Sequence, residues 1–398
     1  MTDLDSFALA YIPSNNDDSG ENKEHFFVKV HINLWTQCGW DDETPVLDIG
    51  LMLSHLSDAK KIRLYIPFHI ETENLEDLCE RLSKDANLLG AVFNEPYTST
   101  DITATKRAVV TKGISKAPEF ILYKLDFSST DDVILSSYKN GTGTFLEFNP
   151  QVIKSPSKEN SCDKYYLRFR IQSKALTDCV REYQVPNRYF ETLVNSTYMI
   201  DMRFNNTRSM DLSLVQQLTQ SDCHLAPIVG LHFLLMAKVD VDVYANGAFH
   251  SSRVLEKDIW NSYVKPKADK KRATEDIIAY HSSKKAGSND TDIGSWEFFA
   301  RLKAGRCSAK TIIPYLVLLI LINVGCNFAF NIWLTELSVI LPNRLPIIKQ
   351  VASLIVIIFI AWFLMHSAGR KQKNIDNLFA VWYNNQLTME DILWNGFV

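Results

Sequence analysis

The sequence predicts an α+β protein: a mostly antiparallel-sheet cytoplasmic domain followed by a C-terminal two-helix transmembrane hairpin. Three observations predict it. Period-two alternation of apolar and polar residues recurs through the N-terminal body. Helical periodicity in that body is confined to short segments. Near the C-terminus stand two apolar stretches, Thr311–Leu334 and Pro346–Ser367, each long enough for the roughly 20 residues that cross a bilayer.

The body begins without a basic n-region or an apolar h-region, so residues 1–24 are not a signal peptide, and residues 13–24 are polar enough to be expected disordered. Val28, Val30, Ile32 and Leu34 alternate with Lys29, His31 and Asn33. Ile62, Leu64, Ile66 and Phe68 alternate with Arg63, Tyr65, Pro67 and His69. Leu167, Phe169 and Ile171 alternate with Arg168, Arg170 and Gln172, and Ile200, Met202 and Phe204 with Asp201 and Arg203. Val239, Val241 and Val243 follow the same rule against Asp240, Asp242 and Tyr244. Each run predicts a strand with one wet face. Weaker strand patterns cover Glu119–Asp126 and Thr144–Phe148. Short helices are expected over Asn74–Leu82, Leu212–Leu218 and Leu255–Tyr263.

Beyond the body the composition changes. The expected division is a sensor or regulatory domain over 1–264, a basic linker over 265–293 and an interfacial helix over 294–310. A first span then covers 311–334, an external turn 335–345, a second span 346–367 and a cytoplasmic amphipathic tail 368–398. The interfacial helix rests on Trp296, Phe299 and Leu302, which share a helical face. Arg301, Lys303, Arg306 and Lys310 precede the first span, and Arg370, Lys371 and Lys373 follow the second. Positive residues favour the cytoplasm, so both ends are expected there.

Within the first span Asn323, Asn327 and Asn331 stand four residues apart, and at 3.6 residues per turn they form one amide stripe. Lipid cannot satisfy amides, so the stripe is expected to line a pore, or to form interhelical hydrogen bonds that line nothing. Gly325 and Ala329 lie on the opposite side, where small residues let helices pack closely. Two helices per chain cannot enclose a pore, so a homo-oligomer in the bilayer is the expected assembly.

Composition excludes several classes. The net charge of −4 over 398 residues argues against a dedicated nucleic-acid binder. The seven cysteines lack C-x-x-C pairing, which fits a reducing compartment and argues against a zinc site. His232 lies in an apolar run, HLAPIVGLHFLLMA, and is expected as a core histidine rather than a ligand. No phosphate-binding, nucleophile-elbow or zinc-protease motif occurs, so neither enzyme activity nor a cofactor or metal is expected. Gly141 and Gly143, in NGTGT, could approach a phosphate or form an ordinary turn. The wet strand faces carry Arg63, Arg168, Arg170 and Arg203, which together would suit a phosphate-bearing small ligand or short oligonucleotide. Pairing with Asp201, Asp240 and Asp242 is the simpler expectation for them.

This layout, a body followed by the 311–334 and 346–367 hairpin, resembles bacterial anti-phage membrane effectors such as the channel-forming effectors of Hailong systems. That resemblance implies an oligomeric membrane effector or ion channel, gated by a domain that senses a nucleotide or oligonucleotide. The alternative is a membrane-anchored receptor or scaffold without a pore.

Overall fold

The computed structural model describes residues 6–14, 25–36, 44–113, 117–154, 162–183, 195–220, 222–245, 247–264, 277–288, 290–305, 317, 319–328, 330 and 331. The chain divides into two compact units: Met1–Gln184 with Asn195–Arg306, and Val185–Val194 with Cys307–Val398. The first unit is mostly β-sheet.

Three sheets build that unit. The smallest joins β12 (Val180–Tyr183), β13 (Asn195–Phe204), β19 (Trp296–Gly305) and β16 (Val241–Tyr244) in that order. A five-stranded sheet runs β14 (His224–Leu225), β1 (Ala8–Pro13), β4 (Ala59–Ile66), β10 (Gly143–Phe148), β9 (Val133–Tyr138). The largest begins β17 (Ser251–Val254), β18 (Ile277–Lys285), β15 (Ile228–Lys238), β2 (Phe27–Trp35), β3 (Val46–Ser54), β11 (Lys164–Gln172). It continues through β8 (Pro118–Tyr123), β7 (Arg107–Lys112) and β6 (Tyr97–Asp101), with β5 (Leu75–Asp77) also on β11. Pairing is antiparallel except between β15 and β2 and between β11 and β8.

One buried apolar cluster joins all three sheets. Val28, Val30, Ile32 and Leu34 of β2 and Leu167, Phe169 and Ile171 of β11 meet Leu64 of β4, Met202 of β13 and Phe298 of β19. They are the apolar members of each strand's alternation, as the two-residue side-chain period requires. A second cluster lies on the opposite face of the large sheet, under α1 (Cys79–Lys84), α2 (Ala86–Phe93) and α5 (Lys257–Val264). The outer face of the five-stranded sheet is covered by α4 (Leu212–Thr219) through Leu214 and Leu218. A short α3 (Pro150–Ile153) packs against β4.

Several expectations are corrected. Within the expected interfacial helix over 294–310 the structure has β19 at Trp296–Gly305 instead, because Trp296, Phe298, Ala300, Leu302 and Ala304 are buried in strict alternation. The basic linker contains β18, whose Ile277 and Ala279 are core residues. The helix expected over Asn74–Leu82 begins only at Cys79, since Leu75–Asp77 pairs with β11.

The largest correction concerns the membrane. Among the described residues no helix is long and apolar enough to cross a bilayer, which overturns the transmembrane hairpin, the multi-pass location and the ion-channel reading drawn from it. Residues 317, 319–328, 330 and 331 are helical. Asn323, Asn327 and Asn331 are exposed there, and Asn327 Nδ2 donates to Asn323 Oδ1 at 2.8 Å. That stripe therefore satisfies part of its own hydrogen bonding along the helix. Among the described residues a Cβ placed on Gly325 would meet nothing within 4 Å. Ala329, the turn 335–345, the second span 346–367 and the tail 368–398 lie outside the described residues.

Gly50 of β3 is required by a close approach. A Cβ there would overlap the Tyr166 hydroxyl, which lies over the β3 backbone between His31 and Arg168. Gly50→Ala is expected to displace Tyr166 and to lower stability by about 1–3 kcal/mol, the usual range for overpacking. Urea unfolding of the two proteins measures the difference.

Candidate functional site

The polar face of the large sheet is not wet. It forms a buried layer beneath the helices, arranged in two rows that cross the strands. One row runs His232 on β15, His31 on β2, Gly50 on β3 and Arg168 on β11. The next runs His281 on β18, Leu234, Asn33, Asp48 and Arg170. Alternation fixes which residues share this face, and strand register fixes which are neighbours.

Asp48 organises the second row. It is fully buried, and its carboxylate accepts from Arg170 Nε at 2.7 Å and Arg170 Nη2 at 3.1 Å. Trp35 Nε1 and the Tyr263 hydroxyl each add a bond at 2.9 Å. Burial alone would push this carboxyl up, but the bidentate Arg170 guanidinium outweighs it and holds the group below its ordinary value. Arg170 Nη1 and Arg81 Nη1 reach the Tyr263 carbonyl, at 3.2 and 2.8 Å. That carbonyl belongs to the last turn of α5, where cations also suit the helix dipole.

Among the described residues Arg168 has no such carboxylate. It is 1% exposed, and its partners are neutral. Nε donates to the Tyr263 hydroxyl at 2.7 Å and Nη1 to the Tyr166 hydroxyl at 2.9 Å. With the Asn33 amide turned so that its oxygen faces the guanidinium, Nη2 donates to it at 2.7 Å. A guanidinium has five N–H donors, and these contacts use three. The layer thus holds two guanidiniums against one carboxylate, and that carboxylate is committed to the other arginine. Burial works against the Arg168 charge, but the Tyr166 and Tyr263 hydroxyls and Asp48 outweigh it, so the group stays cationic.

Arg168 lines a cavity of about 730 Å³, within the usual size range of small-ligand sites. His31, His232 and His281 line it beside the guanidinium. Phe93, Tyr97, Phe120 and Trp260 supply an aromatic wall. Phe93 is the last residue of α2, which stops there because Asn94 turns into the left-handed region at φ 55° and returns its N–H to Gly90. Its ring lies 4.9 Å from Tyr166 and 4.8 Å from Phe120, centre to centre. Lys29, Lys164, Arg253 and Glu119 complete the charged lining.

The tautomer of His31 follows from its neighbours. Arginine only donates, so the Tyr166 oxygen accepts from Arg168 and its own hydrogen goes to His31 Nδ1, 3.1 Å away. His31 is therefore a neutral ring carrying its proton on Nε2. Burial, then the adjacent Arg168 charge, pull it down to about 3. His232 Nδ1 lies 3.1 Å from His281 Nε2, and burial, then His281, bring His232 down to about 4.

The expected arginine cluster is divided. Arg168 and Arg170 do share one layer. Arg63 belongs to the five-stranded sheet, where its Nη2 lies 2.5 Å from Glu147. Arg203 is on β13 and forks onto Asp201 at 2.6 and 3.1 Å. Of the three expected acidic partners, Asp201 alone is engaged this way; Arg170 uses Asp48. Gly141 closes a turn before β10, beside a smaller cleft of about 280 Å³ lined by Arg63, Lys139 and Glu147, not beside Arg168. Sequence reading missed Asp48, Tyr166, Tyr263, His31 and His281 as site residues. The available signal was in β3, VLDIGLMLS, where Asp48 and Gly50 break one face of an otherwise apolar strand. Among the described residues no group of three or more His, Cys, Asp or Glu side chains is placed to hold a metal ion. Comparison with protein-family models and with curated protein sequences finds no match.

The two arginines should respond oppositely to removal. Arg170→Met leaves Asp48 buried without its main partner and should cost about 3–5 kcal/mol. Arg168→Met removes an uncompensated buried charge, while Tyr166 still donates to His31 and Tyr263 to Asp48. Its stability should stay within about 1 kcal/mol of the parent or rise. Chemical denaturation of both variants checks the asymmetry.

The histidines give a pH signature. The folded value of His31 lies below the unfolded value, so its contribution is complete above about pH 6.5 and is lost as pH falls through it. Asp77, which burial pushes up to about 7, acts in the opposite sense. The two are separated by a variant: between pH 7 and pH 5 the parent should lose about 2 kcal/mol more than His31→Gln in urea unfolding.

Proposed function

We propose that the body is a ligand-sensing module that takes a phosphate-bearing small molecule with a flat ring, a nucleotide or a close analogue, in the Arg168 cavity. The observation that carries this reading is the buried Arg168 guanidinium. Among the described residues it has no carboxylate partner, its hydrogen bonds use three of its five N–H donors, and it lines the cavity. An anion arriving there supplies the missing charge and the missing acceptors together. The aromatic wall supports a planar group on the same ligand, since a further ring can join the tilted and edge-to-face contacts already made between Phe93, Phe120 and Tyr166. The basic lining residues Lys29, Lys164 and Arg253 would attract an anion, against the one carboxylate of Glu119.

Binding rather than turnover is the reading the chemistry supports. Asp48 is fully engaged and unavailable as a base. The buried Cys79 thiol is pushed up by burial and donates to the Tyr166 carbonyl. Neither group is set up as a nucleophile with a base beside it.

Calorimetric titration of the full chain with ADP, AMP and adenosine tests the proposal. Both nucleotides should bind and adenosine should bind at least about tenfold more weakly, because charge-assisted bonds to a buried guanidinium contribute about 1.5–3 kcal/mol. Arg168→Met should reduce nucleotide affinity by a similar factor or more. Equal binding of adenosine and AMP would remove Arg168 from the site.

A further inference from the structure

The cavity contains a second polar group that Arg168 does not explain. His232 and His281 come from neighbouring strands, and their rings lie nearly coplanar, 2° apart, with Nδ1 and Nε2 at 3.1 Å. One imidazole must donate to the other across that distance. Such a pair accepts one further proton without losing its hydrogen bond: one ring becomes a cation and still donates to the other. A second proton would place two cations in contact and break the bond. The geometry therefore defines a group that changes charge by one.

We infer that the His232–His281 pair is a second anion contact of this cavity, so that a ligand carrying at least two negative charges enters together with one proton. This rests on the ligand-sensing reading above and deepens it by naming the charge class of the ligand. The groups facing the pair are Lys29 and His31 from β2, Arg168 from β11, Lys285 from β18, Arg253 from β17, and His250 just before β17. Glu119, on β8, is the carboxylate in the same lining. Burial, and then these cationic surroundings, disfavour a further charge, so the pair is neutral at pH 7. An anion in the cavity reverses the local field and favours the extra proton. His31 cannot take this role. A proton on its Nδ1 would point at the Tyr166 oxygen, into which Arg168 already donates, and the Tyr166 hydrogen would lose its acceptor. The ring beside Arg168 is thus locked neutral, while the pair farther along the row is free to respond.

The test is ADP binding to the full chain at pH 7, by calorimetry in two buffers of different ionisation enthalpy. Wild type should take up about one proton more per ADP than the His232→Asn/His281→Asn variant, and its apparent affinity should fall by up to about tenfold per pH unit as pH rises from 7. A second measurement does not depend on the variant folding. Histidine ring resonances of the wild type, alone and saturated with ADP, should show the titration of the pair moving upward on binding while His31 stays neutral. ADP binding with equal proton uptake in both proteins, or with no movement of the pair, overturns the inference and leaves the ligand-sensing reading standing. No ADP binding by wild type overturns both.

Discussion

The site depends on the four hydrogen bonds received by Asp48. They come from β2 through Trp35, from β11 through Arg170 twice, and from α5 through Tyr263. A carboxylate with no exposure tolerates ionisation only when its lone pairs are filled this completely. In filling them the chain fastens a roof helix to two strands of the large sheet. The same saturation makes Asp48 unavailable to the arginine two residues away. Arg168 is left with hydroxyl and amide partners, and the excess positive charge of the layer is a direct consequence.

The consequence extends along the row. Because Arg168 must donate to Tyr166, Tyr166 must donate onward, and His31 must receive. That order needs the Tyr166 hydroxyl above β3, and only glycine at position 50 leaves room for it. A backbone without a side chain, a buried cation and a fixed imidazole tautomer are therefore one arrangement. The helices complete it by covering Arg168, Arg170 and Asp48, and burial strengthens the charge-dipole contacts among them. The cost is a buried guanidinium without a counter-charge, a feature that packing for stability alone would not retain.

Much of the framework was legible because it rests on period two. The alternations around Val30, Leu64, Phe169 and Met202 all became strands whose apolar members lie in the shared core. What misled was the polar half of each pattern. His31 and Asn33, or Arg168 and Arg170, read as solvent-facing from sequence, but the second cluster and its helices cover that part of the face, while Lys29 nearer the strand's start stays exposed. Local spacing carries no information about a cover contributed by residues 79–93 and 257–264. Strand β3 was hidden for the reverse reason: it is buried on both faces, so its hydropathy barely alternates. At Trp296–Gly305 both periods fit, and three residues at helical spacing outvoted five at strand spacing until the partners β13 and β16 were known. Length and hydropathy likewise suggested spans that the described helix does not reach.

The four arginines singled out by their strand positions show why residue type alone does not locate a site. Arg63 has the cross-strand Glu147 at close range and Arg203 has Asp201 two residues away on its own strand, so each charge is paired locally. Arg170 is equally satisfied, but in the interior. Arg168 alone combines burial, neutral partners and a cavity. Those three properties belong to different levels: alternation decides the face, register decides that Asp48 stands opposite Arg170 rather than Arg168, and the roof decides that a cavity remains above. Only the first is written in the local sequence. A one-residue change of register between β3 and β11 would put Asp48 on the opposite face, and the layer would carry two unpaired guanidiniums. The pairing Arg170–Asp48 therefore fixes register as well as charge, and the anion-seeking character of Arg168 is what remains once that choice is made.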